Sequence, residues 1–491
     1  MSKYELIDLS VDENRLQRAV KRAKERGIVI PTFEQMKNPD LVPADVKSKL
    51  SNVGLWDVNP LNLFRITWRN QPVEKGGMFG GVNYIEFPSE ITGVKAKIVA
   101  ISGKWFPTGA HKVGAALGCL VPRLVTGQFD PTTQKAVWPS TGNYCRGGAY
   151  DSSLLACESI AILPEGMSSE RFEWLQSVAG ETIKTPGTES NVKEIFDKCR
   201  ELKNSGQDLM IFNQFEEFGN YLWHHEVTGQ AIKSMLLEVM DEKSNYHGFV
   251  SATGSAGTIA AGDYLKKIYP KSRIAASEAL QCPTIYMNGF GAHRIEGIGD
   301  KHIPWIHNVK NTDVAVAVDD AIPMQWIRMF NEAEGLKLLR EKGVSEDVIG
   351  RLGWVGISGA SNLISAIKYA KYFELKENDV VVTVLTDSID MYKSRLAELK
   401  EEEGPFDALA AHAANARYFE GIGIDFIKEL SYYDRKAVHN LKYYTWVEQQ
   451  GKTYEEILAQ WEDDSYWTDI PGRAAALDEL IAAFNKKVAE L

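Results

Sequence analysis

The sequence predicts an α/β protein built on mainly parallel sheets, and two observations carry that expectation. From about residue 95 to 390, short β-branched runs, glycine-containing turns and helical patterns follow one another in a single rhythm, as strands joined by helical crossovers do. Most of the runs lack strict apolar/polar alternation, which suits strands buried on both faces. Strands are expected at Lys97–Ser102, 136–139, 159–164, 208–212, 248–252, 273–277, Val314–Val318 and 379–386, enough for two sheets or lobes. The flanks differ. Residues 1–60 read as amphipathic helix and loop punctuated by Pro31, Pro39, Pro43 and Pro60. Beyond about Leu396 the chain turns helical and rich in Tyr and Trp, and Tyr432, Tyr433, Tyr443, Tyr444, Trp446, Tyr466 and Trp467 either pack on the core or form a subunit contact.

Composition removes several functions. Lys and Arg number 55 against 66 Asp and Glu, a net charge of −11, and no basic patch is concentrated enough to offset repulsion from a phosphate backbone, so no nucleic-acid partner is expected. The five cysteines form no CxxC pair, which argues against a disulfide framework and a cysteine zinc site. His224-His225-Glu226 lacks the H-E-x-x-H spacing, so no metal is expected. No stretch is long and apolar enough for a bilayer, and the opening residues lack an apolar run behind a basic segment. The expected location is the cytoplasm.

Four segments carry chemistry. After strand Lys97–Ser102 comes Thr108-Gly109-Ala110-His111-Lys112, and Val113, Ala116, Leu117, Leu120, Val121 and Leu124 then recur at helical spacing. Lys112 falls in the first helical turn, where the macrodipole disfavours a cation. A lysine so placed in apolar surroundings gains a neutral amine suited to Schiff-base chemistry. The second segment, Ser140-Thr141-Gly142-Asn143, joins hydroxyls, a glycine and an amide in a turn able to surround a carboxylate, with Tyr144 and Arg146 close behind. The third, Thr253-Gly254-Ser255-Ala256-Gly257-Thr258, leads from a strand into a helix and offers converging N–H and O–H donors to a phosphate. It also fits A-x-G-x-x-G from Ala252, with Glu278 at the end of the next strand, so a nicotinamide cofactor is the alternative reading. The fourth, Asp387-Ser388 at the end of the last strand, offers a group that can hydrogen-bond a ring nitrogen.

In this chain order the four segments resemble the fold-type-II pyridoxal-phosphate enzymes, best the cysteine synthase and cystathionine β-synthase branch, while Thr108-Gly109-Ala110-His111-Lys112 looks like the tryptophan synthase β subunit. Gln214-Phe215 with Asn220, Ala276-Ser277-Glu278, the run from His293 to Gly299 and Gly356-Ile357-Ser358-Gly359-Ala360 add to the likeness, which spans about residues 60–395. It implies a two-lobed, tryptophan synthase β-like catalytic core over 61–395, with a smaller lobe of roughly 105–230 inserted in the larger. An N-terminal extension over 1–60 and a helical C-terminal extension over 396–491 flank this core. It further implies a homodimer that binds pyridoxal 5'-phosphate and acts on a small L-amino acid. Lys112 would hold the cofactor, with His111 beside it. Asn143 would bond the ring hydroxyl, and Thr253, Gly254, Ser255, Ala256, Gly257 and Thr258 the phosphate. Ser388 would face the pyridine nitrogen. Ser140, Thr141, Gly142, Gln214, Tyr144 and Arg146 would meet the substrate.

A serine does not stabilise a protonated pyridine nitrogen as a carboxylate would, and the weaker electron sink favours loss of a β-substituent through an aminoacrylate. The expected activity is β-replacement or β-elimination, cysteine synthase-like; the alternatives are a serine/threonine dehydratase-like deaminating lyase, a nicotinamide dehydrogenase and a non-catalytic scaffold. The chain departs from cysteine synthases at Ala110-His111, at Tyr144-Cys145-Arg146, at Ala256, in an insertion around 330–352 and in its tail. Bulky Tyr144 and charged Arg146 suggest a substrate or nucleophile other than acetylserine plus sulfide.

Overall fold

The computed structural model describes residues 4, 6–72, 75–140, 142–299 and 301–491. Thr141 of the second segment therefore lies outside the described residues. Among the described residues, eleven strands, numbered in chain order, form two sheets: β1 (Tyr84–Phe87), β2 (Lys97–Ser102), β3 (Lys135–Pro139), β4 (Glu158–Pro164), β5 (Glu181–Thr185), β6 (Leu209–Ile211), β7 (Asn245–Ala252), β8 (Arg273–Ala279), β9 (Val314–Val318), β10 (Asp379–Leu385) and β11 (Ile427–Glu429). The larger sheet has the order β1-β2-β10-β7-β8-β9-β11 and the smaller β5-β4-β3-β6. All pairs of the smaller sheet are parallel. The larger sheet is parallel from β2 through β9 and closed by an antiparallel strand at each edge.

The β-branched runs become strands because both faces are covered. Every residue of β9 is buried, and so is all of β10 after Asp379. Helix Ile357–Tyr372, itself buried from Ile357 to Ala370, packs on β10 and β7. The smaller sheet occupies the chain between β2 and β7, an insertion into the larger one. Parallel strand ends then open toward the turns that follow β3, β7 and β10, where ligands of open α/β sheets sit.

The tail is more than helical. Its β11 pairs with β9 and completes the larger sheet. Helix Arg473–Glu490 packs on helix Glu13–Arg26, joining the two ends of the chain. Asp478 accepts from the Phe33 amide at 2.6 Å, and Asn485 bonds Ile30 in both directions at 3.0 and 2.8 Å. The tail aromatics divide: Trp446, Tyr466 and Trp467 are buried, whereas Tyr432, Tyr433 and Tyr444 are exposed.

Lys442 fastens the tail to the core. Its buried Nζ donates to the Trp305 carbonyl (2.9 Å), the His307 carbonyl (2.8 Å) and Gln460 Oε1 (2.6 Å). Burial drives its pKa well down. Lys442→Met leaves Gln460 Oε1 without a donor, while the Trp305 and His307 carbonyls keep Gln460 Nε2 (3.2 Å) and the Val309 amide (2.9 Å); at roughly 1 kcal/mol for a stranded acceptor, chemical denaturation is expected to show a loss of about 1 kcal/mol.

Candidate active site

Lys112 is the first residue of helix Lys112–Val125, following a 3-10 turn at Pro107–Gly109. Its Nζ donates to Ser255 Oγ at 2.8 Å and to Gln214 Oε1 at 3.3 Å. Burial lowers its pKa from 10.5 to about 8, against an opposing pull from Cys119 and Glu189. The neutral fraction then falls about tenfold per pH unit below 8 and levels off above it. Uptake of an aldehyde cofactor by the apoprotein, followed by stopped-flow absorbance, is expected to speed up with pH in that same way.

Gln214 joins the lysine to the second segment, because its Nε2 donates to Ser140 Oγ at 3.2 Å. The same oxygen accepts from the Gly142 amide at 3.1 Å. Gly142 has φ +153°, and a Cβ there would lie 2.9 Å from the Arg171 guanidinium, so this turn tolerates only glycine. Asn143 opens helix Asn143–Leu154 and donates to Asp387 Oδ2 at 2.6 Å, while its buried Oδ1 has no partner.

The third segment follows β7. Ser255 Oγ receives Lys112, Asn220 Nδ2 (3.0 Å) and the Gly257 amide (3.4 Å), three donors converging on one oxygen. A Cβ on Gly254 would meet only the Gly297–Ile298 backbone at 3.4 Å and beyond, and a Cβ on Gly257 would strike Asn220 Oδ1 at 2.0 Å. Ala256 sits at φ +60°, a left-handed conformation that costs an alanine roughly 1 kcal/mol. Thr253 and Thr258 are buried in the same turn.

Lys112, Ser140, Asn143, Tyr144, Gln214, Gly254 and Ser255 therefore line one cavity, with Glu189, Phe215, Gly297, Ile298 and Thr386. These residues fit pyridoxal phosphate. A buried amine of lowered pKa can hold an aldehyde, the donors gathered at Ser255 suit an anionic oxygen, and Asn143 Oδ1 is an unpartnered acceptor for a ring hydroxyl.

Three expected residues sit elsewhere. Ser388 donates to Asp390 Oδ2 at 3.1 Å, which also takes Lys104 at 2.6 Å. β10 ends at Leu385, so strand alternation no longer governs positions 386–388; Thr386 reaches the cavity and Asp387 bonds Asn143. Arg146, expected at the substrate, is buried away from the cavity wall. Its guanidinium lies 4.7 Å from the Trp174 ring and 5.8 Å from Trp56, and Nη1 meets Met391 Sδ at 2.7 Å. Burial, reinforced by the like charge of Arg171, lowers its pKa to about 10. His111 is fully buried, with both ring nitrogens unpartnered, and stacks edge-on against His224 at 5.0 Å. Burial, and then Lys112, hold it neutral by pushing its pKa well down. Glu278, the acid of the dinucleotide alternative, is spent within the fold. Its carboxylate accepts from the Ile285 (2.9 Å) and Tyr286 (2.7 Å) amides and caps helix Thr284–Met287.

Two charged residues had no signal in the sequence. Arg171, beneath Gly142, pairs with Glu296, donates to Tyr392 OH at 2.9 Å and lies 3.9 Å from Asp387. Glu189, in the loop after β5, reaches the lysine cavity from the smaller sheet. A lone Arg on helix Ser169–Val178 or a lone Glu in a turn carries no spacing pattern that would mark it.

Residues 105–339 match the family model described as pyridoxal-phosphate dependent enzyme. The chain is 24% identical over 357 residues to cystathionine beta-synthase of Saccharomyces cerevisiae, covering 69% of this chain and 67% of that protein. It is 30% identical over 292 residues to cysteine synthase B of Campylobacter jejuni, covering 59% of this chain and 87% of that protein. Among solved structures, O-acetylserine dependent cystathionine beta-synthase from Helicobacter pylori superposes with a TM-score of 0.52 at 25% identity, over 64% of this chain and 95% of that one. With the buried lysine and the turns after β3 and β7 assembled around one cavity, and cysteine synthase B matched at 30% identity over 87% of its length, the chain belongs to the pyridoxal-phosphate dependent enzymes, and pyridoxal phosphate is its cofactor.

Proposed function

We propose that the enzyme exchanges or removes a substituent on the β-carbon of a small L-amino acid, with replacement by a nucleophile as the principal outcome. The observation that carries this reading is Gln214, one side chain bonded at once to the Lys112 amine (3.3 Å) and to the Ser140 hydroxyl (3.2 Å). It fixes the proton-carrying amine beside the turn that suits a substrate carboxylate. Bound pyridoxal phosphate supplies the electron sink that lets the α-proton and the β-substituent leave. Ser140 and the 142–143 turn grip the carboxylate and so present the α-carbon to Lys112. The amine, poised near pH 8, takes the α-proton and returns it once the nucleophile has added. Asn143, pinned by Asp387, would offer its unpartnered Oδ1 to the ring hydroxyl of the cofactor.

In replacement, the β-carbon bond to the leaving group breaks and a bond to the nucleophile forms, so amino acid and nucleophile become substituted amino acid and protonated leaving group. In elimination, water is consumed instead, and keto acid and ammonia appear with the leaving group. Relatives named cysteine synthase and cystathionine beta-synthase support the first outcome. A homodimer in the cytoplasm is part of this reading, and gel filtration with light scattering tests its size. The reaction is tested by following keto acid and ammonia from serine, cysteine and O-acetylserine with and without a thiol. Keto acid should fall as thioether product rises. Keto acid output indifferent to every thiol supports the deaminating alternative.

A further inference from the structure

The turn ahead of Lys112 is strained. Thr108 and Gly109 take left-handed conformations in succession, at φ +69° and +71°. A β-branched residue holds such a backbone only where its surroundings over-determine it. Both ends of the segment are tied to the end of β10: the Gly103 amide donates to the Leu385 carbonyl at 2.8 Å, and the His111 amide to the Thr386 carbonyl at 3.3 Å. Between those ties, the buried Thr108 hydroxyl has no hydrogen-bond partner and so does not hold the turn.

An indole from the N-terminal extension covers it instead. A Cβ on Gly109 would lie 2.7 Å from Trp56 Cζ2 and 3.0 Å from Cη2, so ring and glycine backbone approach as closely as only glycine allows. The same ring lies 5.8 Å from the Arg146 guanidinium and meets Trp174 edge-on at 6.4 Å. Trp56 is 39% exposed, yet its loop is fastened to the interior. The neighbouring Asp57 carbonyl accepts from Asn62 Nδ2 (2.8 Å), Tyr150 OH (2.6 Å) and the Asn59 amide (2.9 Å). Asn62 and Tyr150 are fully buried, and Tyr150 belongs to helix Asn143–Leu154, whose first residue lines the lysine cavity. Trp56 thus rests on the helix of the second segment and covers the turn of the first. It lies outside the residues 105–339 that match the family.

We propose that Trp56 is a positioning residue for Lys112. By filling the space over Gly109 it holds the left-handed turn, and the turn sets where the lysine amine meets Ser255 and Gln214. This rests on Lys112 being the cofactor lysine. Without the indole the turn relaxes toward unstrained backbone, and a shift of about 1 Å is enough to spoil the alignment of a reacting group. The bound cofactor is then held less well.

The test is release of pyridoxal phosphate from the holoenzyme after dilution, followed by visible absorbance. Trp56→Ala is expected to speed release at least tenfold. Trp56→Phe, which keeps a ring over Gly109, should stay within threefold of the parent. Gly109→Ala should also speed release, and its effect should be at least threefold smaller in the Trp56→Ala background, where the collision with the ring is gone. Trp174→Ala, which removes the other ring stacked on Arg146, should stay within threefold of the parent. Release at the parent rate from Trp56→Ala, equal acceleration in Trp56→Phe, additive effects of Trp56→Ala and Gly109→Ala, or equal acceleration in Trp174→Ala would each overturn the role. Borohydride mapping of the same holoenzymes keeps the two claims apart. Cofactor on another lysine overturns the reading of Lys112, whereas cofactor on Lys112 with release indifferent to Trp56 overturns the positioning role alone.

Discussion

Lys112→Ala is expected to lower turnover by more than about a thousandfold and yet to raise the stability of the apoprotein. The loss follows because no neighbouring group replaces the amine: Gln214 and Ser255 accept its hydrogen bonds but carry no base. The gain follows from linkage. Burial lowers the lysine pKa from 10.5 to about 8, so at neutral pH the folded state carries a charge that burial disfavours, at a cost on the order of 3 kcal/mol. Unfolded chain binds the proton more tightly throughout the interval between the two values. Parent stability therefore climbs as the pH rises from about 8 to 10.5, and the advantage of the variant fades over that window. Denaturation of both proteins at pH 7 and at pH 10.5, beside a turnover assay, checks both halves. A variant less stable than its parent at pH 7 would mean that the lost bonds to Ser255 and Gln214 outweigh the relieved burial.

The second large effect concerns Arg171. Its side chain is fully buried, and so is that of Asp387, with Glu296 nearly so. Burial pushes the Asp387 pKa up and Arg171 pulls it down, while Glu296 and Asp387 help to hold the arginine charged. Arg171→Met leaves Asp387 in the interior without its cation and Glu296 with Arg395 alone, a loss of about 3–5 kcal/mol in a broken buried pair. The effect extends to the site, since Arg171 lies under Gly142 and Asp387 fixes Asn143. Arg171→Lys keeps the charge without the planar fork and is expected to fall between the two. Urea midpoints order the three proteins, and a rise in KM for the amino acid should accompany the fall in stability.

What could be read from the sequence followed burial. β9, β10 and the centre of β2 are β-branched and covered on both faces, so their runs stood out. β1, β5 and β11 did not. They are edge strands, partly exposed, and Glu181, Lys184, Lys428 and Glu429 interrupt them; their pairing comes from the neighbouring strand rather than from their own pattern. The same limit applies to the site. Lys112, Asn143 and Ser255 lie at strand-to-helix turns, whose position along the chain is set locally, and they meet at one cavity. Ser388 and Arg146, whose roles the resemblance implies, lie apart from the lysine cavity: β10 stops three residues before Ser388, and a helical turn carries Arg146 to the Trp174 ring. Arg171, Glu189 and Glu296 come from three separate segments, and only the closed fold brings them beside the turn.

The central claim is that Lys112 is the cofactor lysine of a β-carbon enzyme. Incubating the protein with pyridoxal phosphate, reducing with borohydride and mapping the adduct by peptide mass spectrometry tests it most directly. The account predicts one modified lysine, Lys112, with protection when the Lys112→Ala variant is treated alike. An adduct on another lysine, or an undiminished one in that variant, would contradict it.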